Sequence, residues 1–219
     1  MGMIPYTLNN YERLLLSLLE HLELVAVTLL LSVPLAMLVS LITDKSRVLH
    51  HTIYGVLLII YCVPSIALFS LLIPLTGLGK GTAIIGMTAY NLILLLRNID
   101  SARKAIPAAV KDVAAGMGLT ERQTLRLVDL PIMLPYLISG LRVATVSTTG
   151  IATMAGLINA GGLGGILFEG MRSYHMPKII WGILLVSGLA LCFNAVFARL
   201  ENRAVLYANG GKKTPDGNS

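Results

Sequence analysis

The chain has 219 residues, of which 55% are apolar and only 13% charged, and its mean hydropathy is +0.78. Such a composition excludes an ordinary soluble domain and points to a multi-span helical membrane protein. The net charge of +6 does not indicate nucleic acid, because the basic residues sit at the ends of apolar runs, where membrane topology places them.

In chain order, Tyr11 to Leu22 is helix-like but too polar to span, and is expected to lie along one membrane surface. Residues 1–22 therefore form an extracytoplasmic N-terminal segment. Glu12, Arg13, Glu20 and Glu23 precede the first apolar run, which is unlike a cleavable signal. Leu24 to Ile42 carries no charge and is long enough to cross roughly 30 Å of hydrocarbon. Ile53 to Leu75 is a second span, with Pro64 inside it. Thr82 to Leu96 is a shorter third, Met133 to Ile158 a fourth rich in Ala, Gly, Ser and Thr, and Ile179 to Phe197 a fifth. The expectation is an all-α membrane protein with a transmembrane domain over 23–198 and a cytoplasmic tail over 199–219 without ordered structure. Cys62 and Cys192 lie in apolar runs and read as small buried side chains.

With five spans the termini lie on opposite sides. Placing the N-terminus outside puts twelve basic residues in inner segments (Lys45, Arg47, Arg97, Arg103, Lys104, Lys111, Arg122, Arg126, Arg199, Arg203, Lys212, Lys213). Four lie outside: Arg13, Lys80, Arg172 and Lys178. Retention of Lys and Arg on the cytoplasmic side favours that orientation. Arg142 is the one charge left within a span, and a structural role for it is favoured over a place on a solute pathway.

The segment 97–131 is then a cytoplasmic loop. Pro107 suits the first turn of a helix continuing through "AAVKDVAAGM", and Gly118 suits its stop. Thr120 and Gln123 have capping-box spacing for a second short helix to Val128, ended by Leu130-Pro131 before the fourth span. Ala114, Ala115, Gly116 and Gly118 would give this projection a narrow tip that another protein's backbone could approach. A surface helix lying on its own membrane domain accounts for the same residues equally well.

Several motifs fail. "GLGKGT" lacks the first glycine and the Ser/Thr of a phosphate-binding loop, and "NAGGLGG" has no preceding strand and reads as a turn or broken helix. None of His21, His50, His51 and His175 falls in an expected span, and neither does any Asp or Glu. Catalytic and metal-ligating sets are therefore not expected, and an acidic proton relay is missing. In the fourth span Thr145, Ser147, Thr148 and Thr153, with Gly150 and Gly156, line either a polar translocation path or a tight helix interface. Tyr61, Pro64 and Ser65 join the candidate path, since a proline-broken helix can open backbone to a cavity.

The loop resembles the EAA loop of bacterial ABC importer permeases: Glu-Ala-Ala, three residues, Gly, nine residues, Ile, one residue, Leu-Pro. Asp112, Val113 and Ala114 stand at the first three positions, with Ala115 and Gly116 following. Gly118, Val128, Leu130 and Pro131 complete the spacing. Three positions depart modestly: Asp for Glu, Val for Ala, Val for Ile. "YCVPSIALFSLLIPLTGLG", "GIATMAGLINAGGLGG" and "FEGMRS" look like the glycine betaine/carnitine/choline branch. The resemblance implies a type I importer permease fold, with the loop helix docking on a separate ABC ATPase. It further implies two ATPase subunits that bind ATP and Mg, a second permease copy or paralogue, and an extracytoplasmic solute-binding protein. The site would be a bacterial cell membrane, with no nucleic acid partner. Another amino-acid-like solute such as methionine, an ion-gradient-driven transporter and a non-transporting scaffold remain the alternatives.

Overall fold

The computed structural model describes residues 3–44 and 46–208; the tail segment 209–219 lies outside them. The described residues are helical almost throughout, and no strand occurs among them. The helices are α1 (Met3–Thr43), α2 (Arg47–Cys62), α3 (Ser65–Thr76), α4 (Lys80–Lys104), α5 (Ala108–Gly116), α6 (Glu121–Thr124), α7 (Leu130–Ala155), α8 (Gly162–Arg172) and α9 (Met176–Ala208). α1, α4, the α6–α7 segment and α9 are long and apolar enough to cross a membrane. The bent pair α2–α3 makes a fifth span if counted as one.

α1 packs through a stripe at helical spacing: Thr28, Ser32, Ala36 and Ser40 are all buried. Small residues every fourth position let two backbones approach closely in lipid, where burial of apolar surface supplies no drive. α4 lies in the middle, with Ala83, Met87, Tyr90, Ile93 and Leu96 buried. One cluster joins Leu24, Val25, Phe69, Met87, Ala152 and Ile158. Asn91 of α4 and Thr148 of α7 are fully buried, and the amide donates to the hydroxyl at 2.8 Å.

Four expectations need correction. The segment Tyr11–Leu22 is not a separate surface helix: α1 is kinked at Asn10 (φ −132°) and runs from there into the first span without a further break. Its charges find partners on other helices. Glu20 accepts from the Gly162 amide at 2.8 Å, Glu23 pairs with Lys80 at 2.6 Å, and Arg13 pairs with Glu169. His21 is buried, with Nε2 3.1 Å from the Thr149 carbonyl. Leu130-Pro131 does not end the loop helix either. A π-helical turn over Leu125–Asp129 carries α6 into α7, and the Leu130 amide reaches back five residues to the Leu125 carbonyl. The widened turn shifts the hydrogen-bond register where Pro131 has no donor to give. Finally, 199–208 belongs to α9, because Glu201 there pairs with Arg142. Cys62 and Cys192 are exposed on this subunit rather than buried.

The second span is bent by 104° between α2 and α3. Pro64 breaks the helix, and the Val63 carbonyl accepts from the Tyr90 hydroxyl. At the far end of α7, a 3-10 turn (Gly156–Ile158) leads into the "NAGGLGG" residues, which open with a left-handed Asn159 (φ 63°) and run into α8. A Cβ at Gly164 would overlap the Thr153 backbone, and one at Gly156 would overlap Gly164. α8 packs here with no side chain between the backbones.

Candidate functional site

Between α4 and α7 the loop is a built structure. α5 starts after Pro107 and ends in a complete Schellman arrangement. The Gly118 amide donates to the Ala115 carbonyl at 3.0 Å, and the Leu119 amide to the Ala114 carbonyl at 3.2 Å. Gly118 has φ +73°, the left-handed conformation that glycine takes without steric cost. The capping box forms next: the Gln123 side chain accepts from the Thr120 amide at 2.9 Å, and the Thr120 hydroxyl accepts from the Gln123 amide at 3.4 Å.

Ala114 alone of the first loop residues turns inward, 3% exposed. Asp112, Val113, Ala115, Gly116 and Gly118 are exposed. Val113 (62% exposed) and Met117 (73%), the residue that caps α5, lie four apart and share a face, and Leu127 beyond the capping box is 67% exposed. Val128 and Pro131 are half-buried, while Leu130 is exposed. Sequence reasoning missed Met117 and Leu127; apolar residues inside a charged segment are the signal that would have found them.

The path candidates separate into two groups. Thr145, Thr148 and Thr153 are buried inside the subunit, and each hydroxyl donates to the carbonyl four residues back: Thr145 to Leu141 at 2.7 Å, Thr148 to Ala144 at 2.7 Å, Thr153 to Thr149 at 3.3 Å. Tyr61 and Pro64 are exposed and Ser65 and Ser147 half-buried, and nothing lies within 4 Å of a Cβ built on Gly150. Tyr61 meets Tyr90 edge to face at 5.9 Å. Arg142 is held by α9: Nε donates to Asn194 at 2.8 Å, and a terminal nitrogen to Glu201 at 3.1 Å.

At the opposite end of the molecule, Arg13, Glu20, Asn159, Glu169 and Arg172 line an open cleft of about 610 Å³. Glu169 there holds both Arg13 and Lys178. The Lys178 hydrogen bond, followed by that of Arg13, keeps its carboxyl below the ordinary value against the opposing pull of burial.

Long apolar helices, with an exposed, capped helical loop between α4 and α7, define the class: a multi-span membrane protein that projects a built loop from one face. The chain belongs to the family described as the binding-protein-dependent transport system inner membrane component, whose model matches residues 28–205. It is 30% identical over 200 residues to the choline transport system permease protein OpuBB of Bacillus subtilis, covering 91% of this chain and 92% of that one. It is 31% identical over 206 residues to the osmoprotectant import permease protein OsmW of Salmonella typhimurium, covering 92% and 96%. The fold matches the permease fold in an inward-facing structure of the MetNI methionine ABC transporter, with a TM-score of 0.74 at 22% identity over 91% of this chain and 98% of that one. The relatives are permeases, transport subunits rather than enzymes, and this chain is a permease subunit of the ABC importer family.

Proposed function

We propose that this permease imports a quaternary-ammonium osmoprotectant such as glycine betaine, carnitine or choline, driven by a separate ATPase that docks on α5. The observation carrying the mechanism is the exposed α5 tip, with Val113 and Met117 on one face and Gly118 closing the helix. An apolar pair on a solvated projection has no structural use within this subunit and is what a partner's cleft would cover. The named solutes of the relatives support the substrate class.

In this reading the subunit lies in a bacterial inner membrane with α5 on the cytoplasmic side, as the basic-residue count favours. Five spans are few to enclose a path, so a second copy or paralogue pairs with it. Tyr61 and Pro64, exposed, and Ser65 and Ser147, half-buried, are the candidates to face that path, while Thr145, Thr148 and Thr153 act through packing. Asp112, Val113, Ala115, Gly116 and Gly118 meet the ATPase, and Ala114, Val128, Leu130 and Pro131 set the loop's shape. Two ATPases bind ATP and Mg. A solute-binding protein docks over the charged cleft at the other end.

The test is purification through a tag on this chain from native membranes in mild detergent, followed by ATP hydrolysis in nanodiscs with the co-purified binding protein. Stimulation by glycine betaine, carnitine or choline and not by methionine is the expected result. Stimulation by methionine alone would overturn the substrate assignment.

A further inference from the structure

α2 is weakly embedded: Leu57 is its one buried residue, while Val48, Val56 and Ile59 face outward. Yet it is tied to α4 at two points through tyrosine hydroxyls. Near the loop end, Tyr54 of α2 donates to the Asp100 carboxylate of α4. His50 stacks on Tyr54 with ring centroids 4.3 Å apart, and its Nε2 lies 3.4 Å from the same carboxylate. At the bend, Tyr90 of α4 donates to the Val63 carbonyl, the group freed where Pro64 breaks the helix. The two helices run antiparallel, and the ties match in length. Tyr54 to Val63 spans about 14 Å of helix and Tyr90 to Asp100 about 15 Å.

Asp100 stands seven residues before Pro107, at the start of α5. The same end of α4 is held to the first span by the Arg103–Asp44 ion pair. Asn98 sits where Gly140 of α7 leaves room for it. A displacement of α5 therefore enters α4 at a point already fastened to three other elements.

We infer that the Tyr54–Asp100 and Tyr90–Val63 ties form a clasp that makes α2 and α4 move as one body, carrying motion of the loop to the Pro64 bend. Tyr54, Asp100 and Tyr90 are positioning residues for transport. The bend they control holds Tyr61, Pro64 and Ser65, so the clasp links the loop to the surface proposed to face the solute. The inference rests on the importer reading above.

The test uses the whole complex in proteoliposomes, with glycine betaine as the solute, and reads solute moved per ATP hydrolysed alongside the thermal midpoint. Tyr54→Phe and Tyr90→Phe each remove one hydroxyl and keep the ring. Each is expected to lower the ratio by roughly two- to fivefold, the scale of one lost hydrogen bond, and the pair together by more. Asp100→Asn keeps an acceptor for Tyr54 and retains most of the ratio, whereas Asp100→Ala loses it. A merely structural role would lower the thermal midpoint and leave the ratio intact. Wild-type ratios in both single variants, or equal ratios in Asp100→Asn and Asp100→Ala, would overturn the clasp. An absence of ATP-dependent uptake in the wild-type complex would instead overturn the importer reading.

Discussion

Gly118→Ala isolates what the tip of the loop contributes. At φ +73° an L residue costs roughly 1–2 kcal/mol, and nothing lies within 4 Å of a Cβ built there. Within the subunit the methyl meets no obstacle, so the whole effect is backbone strain. That strain opposes the bonds from Gly118 to Ala115 and from Leu119 to Ala114 that close α5. If docking needs the closed tip, the strain comes out of the binding free energy, and affinity for the ATPase falls by about 5- to 30-fold. The assay is equilibrium binding of the purified ATPase to the permease in nanodiscs. Gly118→Asn should keep affinity within about threefold, since Asn tolerates the left-handed region. Gly118→Leu adds bulk to the same strain, so any loss beyond that of Ala measures how closely the partner approaches, with membrane insertion unaffected. Wild-type affinity in Gly118→Ala, or equal losses in Ala and Asn, would refute the reasoning.

Arg142→Ala leaves Asn194 and Glu201 without their donor. The expected cost is about 1–3 kcal/mol, seen as a lower thermal midpoint in detergent, and Glu201→Gln added to Arg142→Ala should recover part of it. Gly164→Ala pushes a methyl into the Thr153 backbone and should sharply reduce folded yield, whereas Gly165→Ala, with open space around it, should leave size-exclusion profile and yield unchanged. Because the hydrogen bond from Lys178 holds the Glu169 carboxyl below the ordinary carboxylate value in the folded state, its pairing stabilises the fold above that ordinary value. That stability is lost as pH falls through the lowered value. Thermal midpoints measured on acidification should therefore drop more in the wild type than in Glu169→Gln.

The spans were legible because lipid demands long apolar runs, and the loop because its caps are local: Pro107, Gly118, Thr120 and Gln123 act on neighbours a few residues away. What escaped were long-range pairings. Glu20 and Arg13 read as surface charges until Gly162 and Glu169 are seen beside them, 142 and 156 residues away. His21, outside every expected span, proves buried for the same reason, its partner being the Thr149 carbonyl. The end of the fifth span moved outward because Glu201 answers Arg142, and the loop helix continued through Leu130-Pro131 because a π-turn absorbed the proline. In the fourth span, composition alone could not divide Thr145 and Thr148, which face inward, from Ser147, which does not; that requires knowing where Asn91 lies.

The central claim is that ATP hydrolysed by a docked partner drives import through this chain. Its most direct test is uptake of radiolabelled glycine betaine by proteoliposomes holding the complex purified through this chain, with its binding protein added outside. The account predicts uptake that requires enclosed ATP at the α5 side and persists when ion gradients are collapsed. Uptake that follows an ion gradient and ignores ATP would contradict it.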